Sequence, residues 1–364
     1  QYWFLLWVTE DGYGGLEHMN STLLLCSRFD LPAPEQTVPD DNYQNLLALC
    51  SHEYFHTWWV KRLKPACFHP YQLAAEQYTP QLWLYEGFTS YFDDLALVRA
   101  GVIDTTRYIK TLEKTISRVT RNPSNCRQSL TDSSFTAWTK FYKQDENAPN
   151  AVVSYYAKGA LLALCLDATL RAANTTLEQV VQQLWRRYLP TGTPDNALSL
   201  VLQDMGFSGL ADLTDSWLNQ PGALPLTGLL PQLGLELTLR PMQHADDVGG
   251  ESSDDGAYFI GAQTKLVNSL LQLTQVYHAG AAHKAGLMVG DQLLALDGFK
   301  ITAASLPQLL KRYTPGSTAQ LHFYRKDRLL QCNLLLQPVL QQVAQLSIKD
   351  NALCQRWLMN NCGS

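Results

Sequence analysis

Residues 1–27 alternate between apolar runs and polar breaks: QYWFLLWV, then EDGYGG, then STLLL. This pattern predicts a strand, a Gly-rich turn at 11–15 and a second strand, as hairpin or sheet-edge material. From 41 to 99 the apolar spacing changes to that of two amphipathic helices. The first has Asp41 as a cap with Gln44 three residues on, and Lys61, Arg62, Lys64 and Pro65 at its far end. The second, TPQLWLYEGFTSYFDDLALVRAG, closes on Arg99 and Gly101. Helical patterning continues over 105–219, strongest in SYYAKGALLALCLDATLRA and TLEQVVQQLWRRYL, with loops at RNPSNC and QDENAPNA. A Pro/Gly/Leu stretch, NQPGALPLTGLLPQLG, marks a boundary near 225. Beyond it LGLELTLRP, SLLQLTQVY and TAQLHFYRK predict short strands, and the polar, acidic stretch 243–256 reads as a mobile loop.

At 364 residues the chain exceeds one ordinary core, which suggests two or three domains. Lys and Arg number 28 against 33 Asp and Glu, and no basic run is long enough to track a phosphate backbone; nucleic acid is not an expected partner. The longest apolar runs fall short of the roughly 20 residues that span a bilayer, so no membrane span is expected. Eight cysteines lie scattered with no C-x-x-C and read as buried free thiols of a reducing compartment. The chain opens on Gln1 inside an apolar run, which suggests a missing upstream part. Cytoplasmic localisation is the expectation, with periplasmic or secreted placement left open.

The stretch LALCSHEYFHTWWVKRL carries the most specific chemistry. On a helix, His52 and His56 lie one turn apart on one face and can share an ion, while Glu53 sits beside them within reach of a metal-bound water. This is the H-E-x-x-H pattern of zinc hydrolases. A third ligand must come from elsewhere, and two glutamates compete. Glu76 follows His56 after nineteen residues and Glu86 after twenty-nine. Spacing favours Glu76, but it precedes Thr79-Pro80, where a helix is interrupted, whereas Glu86 opens an amphipathic segment able to pack beside the first helix. Glu86 is therefore the expected ligand, with Glu76 as a substrate-side or loop carboxylate. Asp93, seven residues after Glu86, reads as a capped or solvated aspartate before a partner of a ligand histidine. His69, His244, His278, His283 and His322 show no ligand spacing and read as structural or exposed.

GGLEHMNST, HEYFHTWWVKR, LWLYEGFTSYFDD and SYYAKGALLALCLD, taken together and in order, resemble the M61 glycyl aminopeptidases. These are relatives of the M1 aminopeptidases among the gluzincin zinc peptidases. GGLEH stands where M1 members have G-x-M-E-N, and the His56 to Glu86 spacing is longer than theirs; both departures fit M61. The resemblance implies one zinc per chain on His52, His56 and Glu86, Glu53 as general base, Glu17 binding the substrate α-amine, and Tyr156 donating to the oxyanion. Tyr155 is easily confused with Tyr156. His18 is a weak candidate, because a regular strand cannot turn both it and Glu17 inward.

The implied fold class is multidomain. A thermolysin-like α+β catalytic domain is expected over 1–120, an all-α helical domain over 121–225, a small mostly-β PDZ-like domain over 226–340 and a tail over 341–364. The resemblance also implies a β-rich domain upstream in full-length members, which this sequence is expected to lack. The expected activity is hydrolysis of the N-terminal peptide bond of peptides with a free amine, with Gly or Ala first. The segment LTQVYHAGAAHKAGLMVGDQLLALDGFKIT resembles the PDZ domains of bacterial proteases, which hold a C-terminal peptide carboxylate in a Gly-containing loop. Two stretches could form that loop, 233–235 and 259–262. The rival reading is a PDZ adaptor whose protease-like part is inactive.

Overall fold

The computed structural model describes residues 1–243, 247–252, 259–338 and 340–359. His244, Cys362 and half of the acidic stretch 243–256 lie outside the described residues. Three strands open the chain: β1 (Trp3–Thr9), β2 (Gly14–Glu17) and β3 (Ser21–Ser27). They divide the expected hairpin and sheet-edge roles among three strands rather than two, β2 and β3 forming the hairpin and β1 an edge. β3 is central, parallel to β1 with Trp3 opposite Ser21, and antiparallel to β2 with Gly14 opposite Leu25. The stretch between β1 and β3 is long enough to supply β2, so β3 pairs on both edges and β1 runs alongside it. Thr22, Leu24 and Cys26 alternate inward on β3, and β2 and β3 both touch the first helix.

That helix, α1 (Asp41–Phe55), starts one residue earlier than the sequence suggests. Asp40 is the cap, its carboxylate accepting from Tyr43 N–H at 2.8 Å. It also ends sooner: His56 is the C-cap, and the chain then turns tightly through Val60, at φ 106°. Lys61–Pro65 therefore follow the helix rather than close it. A π-helical turn at Trp83–Gly87 leads into α2 (Phe88–Arg99), then α3 (Thr105–Arg121). The helical body continues with α4 (Leu130–Phe135), α5 (Ala148–Ala151), α6 (Tyr155–Ala172), α7 (Leu177–Tyr188), α8 (Ala197–Asp204) and α9 (Ser208–Asn219).

α6 is apolar all round and forms the centre of the core, with Leu161 through Leu166 buried without exception. Within Ala148–Ala172 lies an 18-residue window long and apolar enough to cross a membrane, but 78% of that window is buried inside the protein, as a core helix is. Gly87 and Gly159 let the π-helical turn lie directly on α6: a Cβ on Gly87 would come within 2.5 Å of Gly159 backbone.

After α10 (Leu226–Leu229), β4 (Leu235–Pro241) pairs with β11 (Gln341–Ile348). Between them is inserted a β-rich module of β5 (Ala262–Val267), β6 (Leu270–Val276), β7 (Gln292–Leu296), β8 (Phe299–Lys300), β9 (Thr318–Arg325) and β10 (Arg328–Leu335). Its sheet runs β10-β9-β7-β6-β5, β8 pairing with β7, and it carries α11 (Ala281–Lys284) and α12 (Ser305–Leu310). β11 docks on α3 through Ala344 N–H to Ser117 Oγ at 2.9 Å and Leu346 N–H to Glu113 Oε1 at 2.7 Å. The stretch read as a tail thus supplies β11 and α13 (Asn351–Leu358), whose Trp357 indole donates to Tyr91 Oη at 2.9 Å.

The inserted module is clamped to the helical body by Asn150. Its amide donates to Val276 O at 2.8 Å and accepts from His278 N–H at 2.7 Å. The described part of the acidic stretch is anchored, contrary to the mobile-loop expectation: Asp247 is buried and takes both Arg240 nitrogens, at 2.6 and 3.0 Å. Arg240 thereby offsets the cost of burying the Asp247 carboxylate.

Candidate active site

α1 presents His52 and His56 toward α2. His52 Nδ1 is held by Asp93 Oδ2 at 2.9 Å, and His56 Nδ1 by the carbonyl of Trp59 at 2.8 Å. With both Nδ1 atoms engaged, both Nε2 atoms are turned to one point. Each lies 3.2 Å from Glu86 Oε2. The three ligand-capable atoms fall within 4.8 Å of one another. Two imidazoles and a carboxylate, with outer nitrogens fixed by a carboxylate and a carbonyl, are the donor set and support that zinc takes. The residues therefore fit a zinc ion.

Electrostatics follow from that crowding. Burial opposes protonation of His52, but Asp93 and Glu86 outweigh it and raise its pKa to about 10. Burial would raise Glu86, yet His56 and His52 hold it well below the usual carboxylate range. Such a carboxylate stays charged and ready to bind a cation.

Glu53 is 4% exposed, and its Oε2 has no hydrogen-bond partner among the described residues. Burial pushes its pKa up to about 7, against the pull of His56 and His52. β2 passes directly over it: a Cβ on Gly15 would overlap the Glu53 carboxyl group. The second glycine of GGLEH thus makes room for Glu53 and brings Glu17, two residues on, to the rim. Glu17 is half-buried and lies 3.7 Å from Lys61 Nζ. His18 points the other way, exposed, its Nδ1 3.2 Å from the Leu16 carbonyl.

The first turn of α6 closes the site. The ring of Tyr156 stacks 6.2 Å from that of His52, and burial and then the Glu86 charge raise its phenol well above its ordinary value. Tyr155 is fully buried instead and packs 4.7 Å from Phe141. Tyr156, not Tyr155, thus lies against the histidines.

Other sequence expectations part here. Glu76 is exposed and takes a hydrogen bond from Tyr78, away from the cluster. Asp93 is neither a cap nor solvated: it is 9% exposed and bonded to His52. The seven-residue interval from Glu86 was the available signal, since it returns to the same helix face. His69, His278 and His283 are exposed, and His322 is half-buried. Of the two candidate carboxylate loops, 233–235 lies ahead of the β-rich module and is used structurally: Gly234 caps a helical turn and accepts from Lys349 N–H at 2.8 Å. Residues 259–262 lead into edge strand β5, with Gly261 at φ 76° packed on Gly280. The cysteines among the described residues are all free.

Residues 45–162 match the family model described as M61 glycyl aminopeptidase, and residues 259–336 match that of the PDZ domain. An aminopeptidase N family protein from Idiomarina loihiensis superposes with a TM-score of 0.93 at 44% identity, over 98% of this chain and 62% of that one. The chain thus spans 62% of that relative's length. An M1 zinc metallopeptidase mutant from Deinococcus radiodurans, bound to a Tyr-Ser-Ala substrate, aligns at 15% identity and TM-score 0.39, over 61% of this chain and 40% of that one. A serine endoprotease from Yersinia pestis aligns at 18% identity and TM-score 0.20, over 22% and 29%. Curated proteins return no match. Residues 45–162 are thus similar to the M61 glycyl aminopeptidases, and residues 259–336, on the same chain, to the PDZ domain.

Proposed function

We propose that the chain is a zinc aminopeptidase with a thermolysin-like catalytic domain, releasing small first residues such as Gly or Ala from peptides with a free N-terminus. The observation that carries this reading is the convergence of both histidine Nε2 atoms on Glu86 Oε2 at 3.2 Å, beside a buried carboxyl group of Glu53 with one oxygen free. His52, His56 and Glu86 would hold one zinc ion. Zinc in such a site supplies Lewis acidity toward the scissile carbonyl and lowers the pKa of a bound water to about 7.

The protein's own groups do the remaining work. Glu53 takes the proton of the attacking water and returns it to the leaving amine; its raised pKa suits both directions near neutral pH. Tyr156 donates its phenolic proton to the developing oxyanion, as a neutral donor that burial keeps protonated. Glu17 receives the substrate ammonium, displacing Lys61, which neutralises it in the free protein. Asp93 fixes the tautomer of His52, so that Nε2 carries the lone pair. In the PDZ domain, the 259–262 loop and the open edge of β5 would take an added C-terminal peptide strand.

Zinc content and Gly- and Ala-aminoacyl reporter hydrolysis, measured on the same purified samples, test the reading. One zinc per chain, kept in Glu76→Ala and lost with turnover in Glu86→Ala, is expected. A chain that takes up no zinc on reconstitution, or that hydrolyses the reporters equally well as Glu53→Gln, would leave only the peptide-binding module.

A further inference from the structure

Tyr142 belongs to no motif in the sequence, yet its hydroxyl stands between two others. Tyr155 Oη donates to Tyr142 Oη at 3.3 Å, and Tyr142 Oη lies 3.1 Å from Tyr156 Oη. A phenol has one proton to give and can also accept. Tyr155, buried in the core, places its proton on Tyr142. Tyr142 then has its own proton to place, and Tyr156 Oη, 3.1 Å away, is able to accept it. Having accepted, Tyr156 keeps its proton free on the side where its ring faces His52. The opposite direction, Tyr156 donating to Tyr142, would use that proton inside the cluster and leave none for a substrate.

We propose that Tyr142 is a positioning residue: the chain Tyr155 to Tyr142 to Tyr156 sets the direction of the Tyr156 hydroxyl and turns its proton toward the histidine cluster. The proposal deepens the aminopeptidase reading and rests on it for its consequence in catalysis. Hydrogen bonds in series polarise one another, so an accepted bond also makes Tyr156 a stronger donor. The rings themselves are held by other contacts. Phe141 lies 4.7, 5.5 and 5.6 Å from the rings of Tyr155, Tyr142 and Tyr156. Tyr142 is 64% exposed, so its replacement by Phe removes the hydroxyl with little demand on the core.

Tyr142→Phe, Tyr156→Phe and the double variant are compared for kcat and KM on an Ala-aminoacyl reporter. Loss of one neutral hydrogen bond, worth about 0.5–1.5 kcal/mol, should lower kcat about 2- to 10-fold in Tyr142→Phe with KM unchanged. Loss of an oxyanion donor in Tyr156→Phe should cost on the order of 100- to 1000-fold. In the Tyr156→Phe background the Tyr142→Phe change should cost nothing more, since its only route is through the missing hydroxyl. An unchanged kcat in Tyr142→Phe, or the same loss in both backgrounds, overturns the proposal. A readout independent of turnover is the 13Cζ resonance of Tyr156 in tyrosine-labelled protein, assigned by its absence from Tyr156→Phe. It should move in Tyr142→Phe, and a stationary signal overturns the hydroxyl chain. A moving signal in a protein that hydrolyses no peptide would support the chain while refuting the aminopeptidase reading.

Discussion

Glu53 should destabilise the metal-free fold, and Glu53→Gln should relieve it. Its carboxyl group is 4% exposed, has one oxygen without a partner, and has its pKa raised by burial from 4.5 to about 7. A folded-state pKa above the unfolded value means that the native state prefers the protonated acid. The contribution to stability is therefore whole below about pH 4.5 and is lost as pH rises through about 7. Integrating between those values gives a penalty of about 3 kcal/mol at pH 8 and about 1 kcal/mol at pH 5. Glutamine is nearly isosteric with the protonated acid and fits the space that Gly15 leaves, so it should escape the penalty at both pH values. Urea denaturation of chelator-treated parent and variant, at pH 5 and pH 8, measures the difference directly. The variant should be the more stable by about 3 kcal/mol at pH 8, shrinking to about 1 at pH 5. Equal stability of the two at pH 8, or a difference independent of pH, would refute the claim that Glu53 is held in a desolvated site.

Three further outcomes are expected. Asp93→Asn should weaken zinc binding about 10- to 100-fold through loss of the carboxylate that orients His52, measured by competition with a chromogenic chelator. Gly15→Ala drives a methyl group into the Glu53 carboxyl group and should lower kcat on the order of 100-fold while zinc content stays at one per chain. Asn150→Ala removes both clamp hydrogen bonds and leaves Val276 O and His278 N–H to find other partners. Amide exchange at His278 should accelerate, with about 1–3 kcal/mol lost from local stability, while β9 and β10 keep their protection.

Much of the site was legible because its ligands sit close together in sequence or on regular helices. Asp40 and Asp41 compete for one capping position, and a shift of one residue leaves the faces of α1 unchanged. Less legible were features that depend on contacts remote in sequence. The parallel pairing of β1 with β3 needed knowledge of where β2 would go. Asp93 reads as a solvated aspartate because its seven-residue interval from Glu86 gives the shared face but not the bond to His52, which depends on how α1 lies over α2. Tyr142 sits in a loop region, and its two tyrosine partners are 13 and 14 residues away. The anchoring of Asp247 depends on Arg240, which reads as an ordinary strand residue.

By itself the sequence determined the chemistry of the candidate centre. The spacing of His52, Glu53 and His56 follows from the helical repeat, which is a local property of the backbone. It also marked the apolar helix α6 and the change of texture that separates helical body from β-rich module. Only the tertiary structure showed where the competing residues lie: Glu86 beside the histidines and Glu76 exposed, Tyr156 against His52 and Tyr155 in the core, 233–235 packed into the fold and 259–262 leading into edge strand β5. Sequence context already favoured Glu86 through the Thr79-Pro80 interruption, but the members of each pair are alike enough in residue type that local pattern does not place them in space. What ranks them is which one packing carries to the shared point: the close approach of Gly87 to Gly159 lays the Glu86 turn on the helix that bears Tyr156, and burial of Gly234 against α13 commits that loop to the fold.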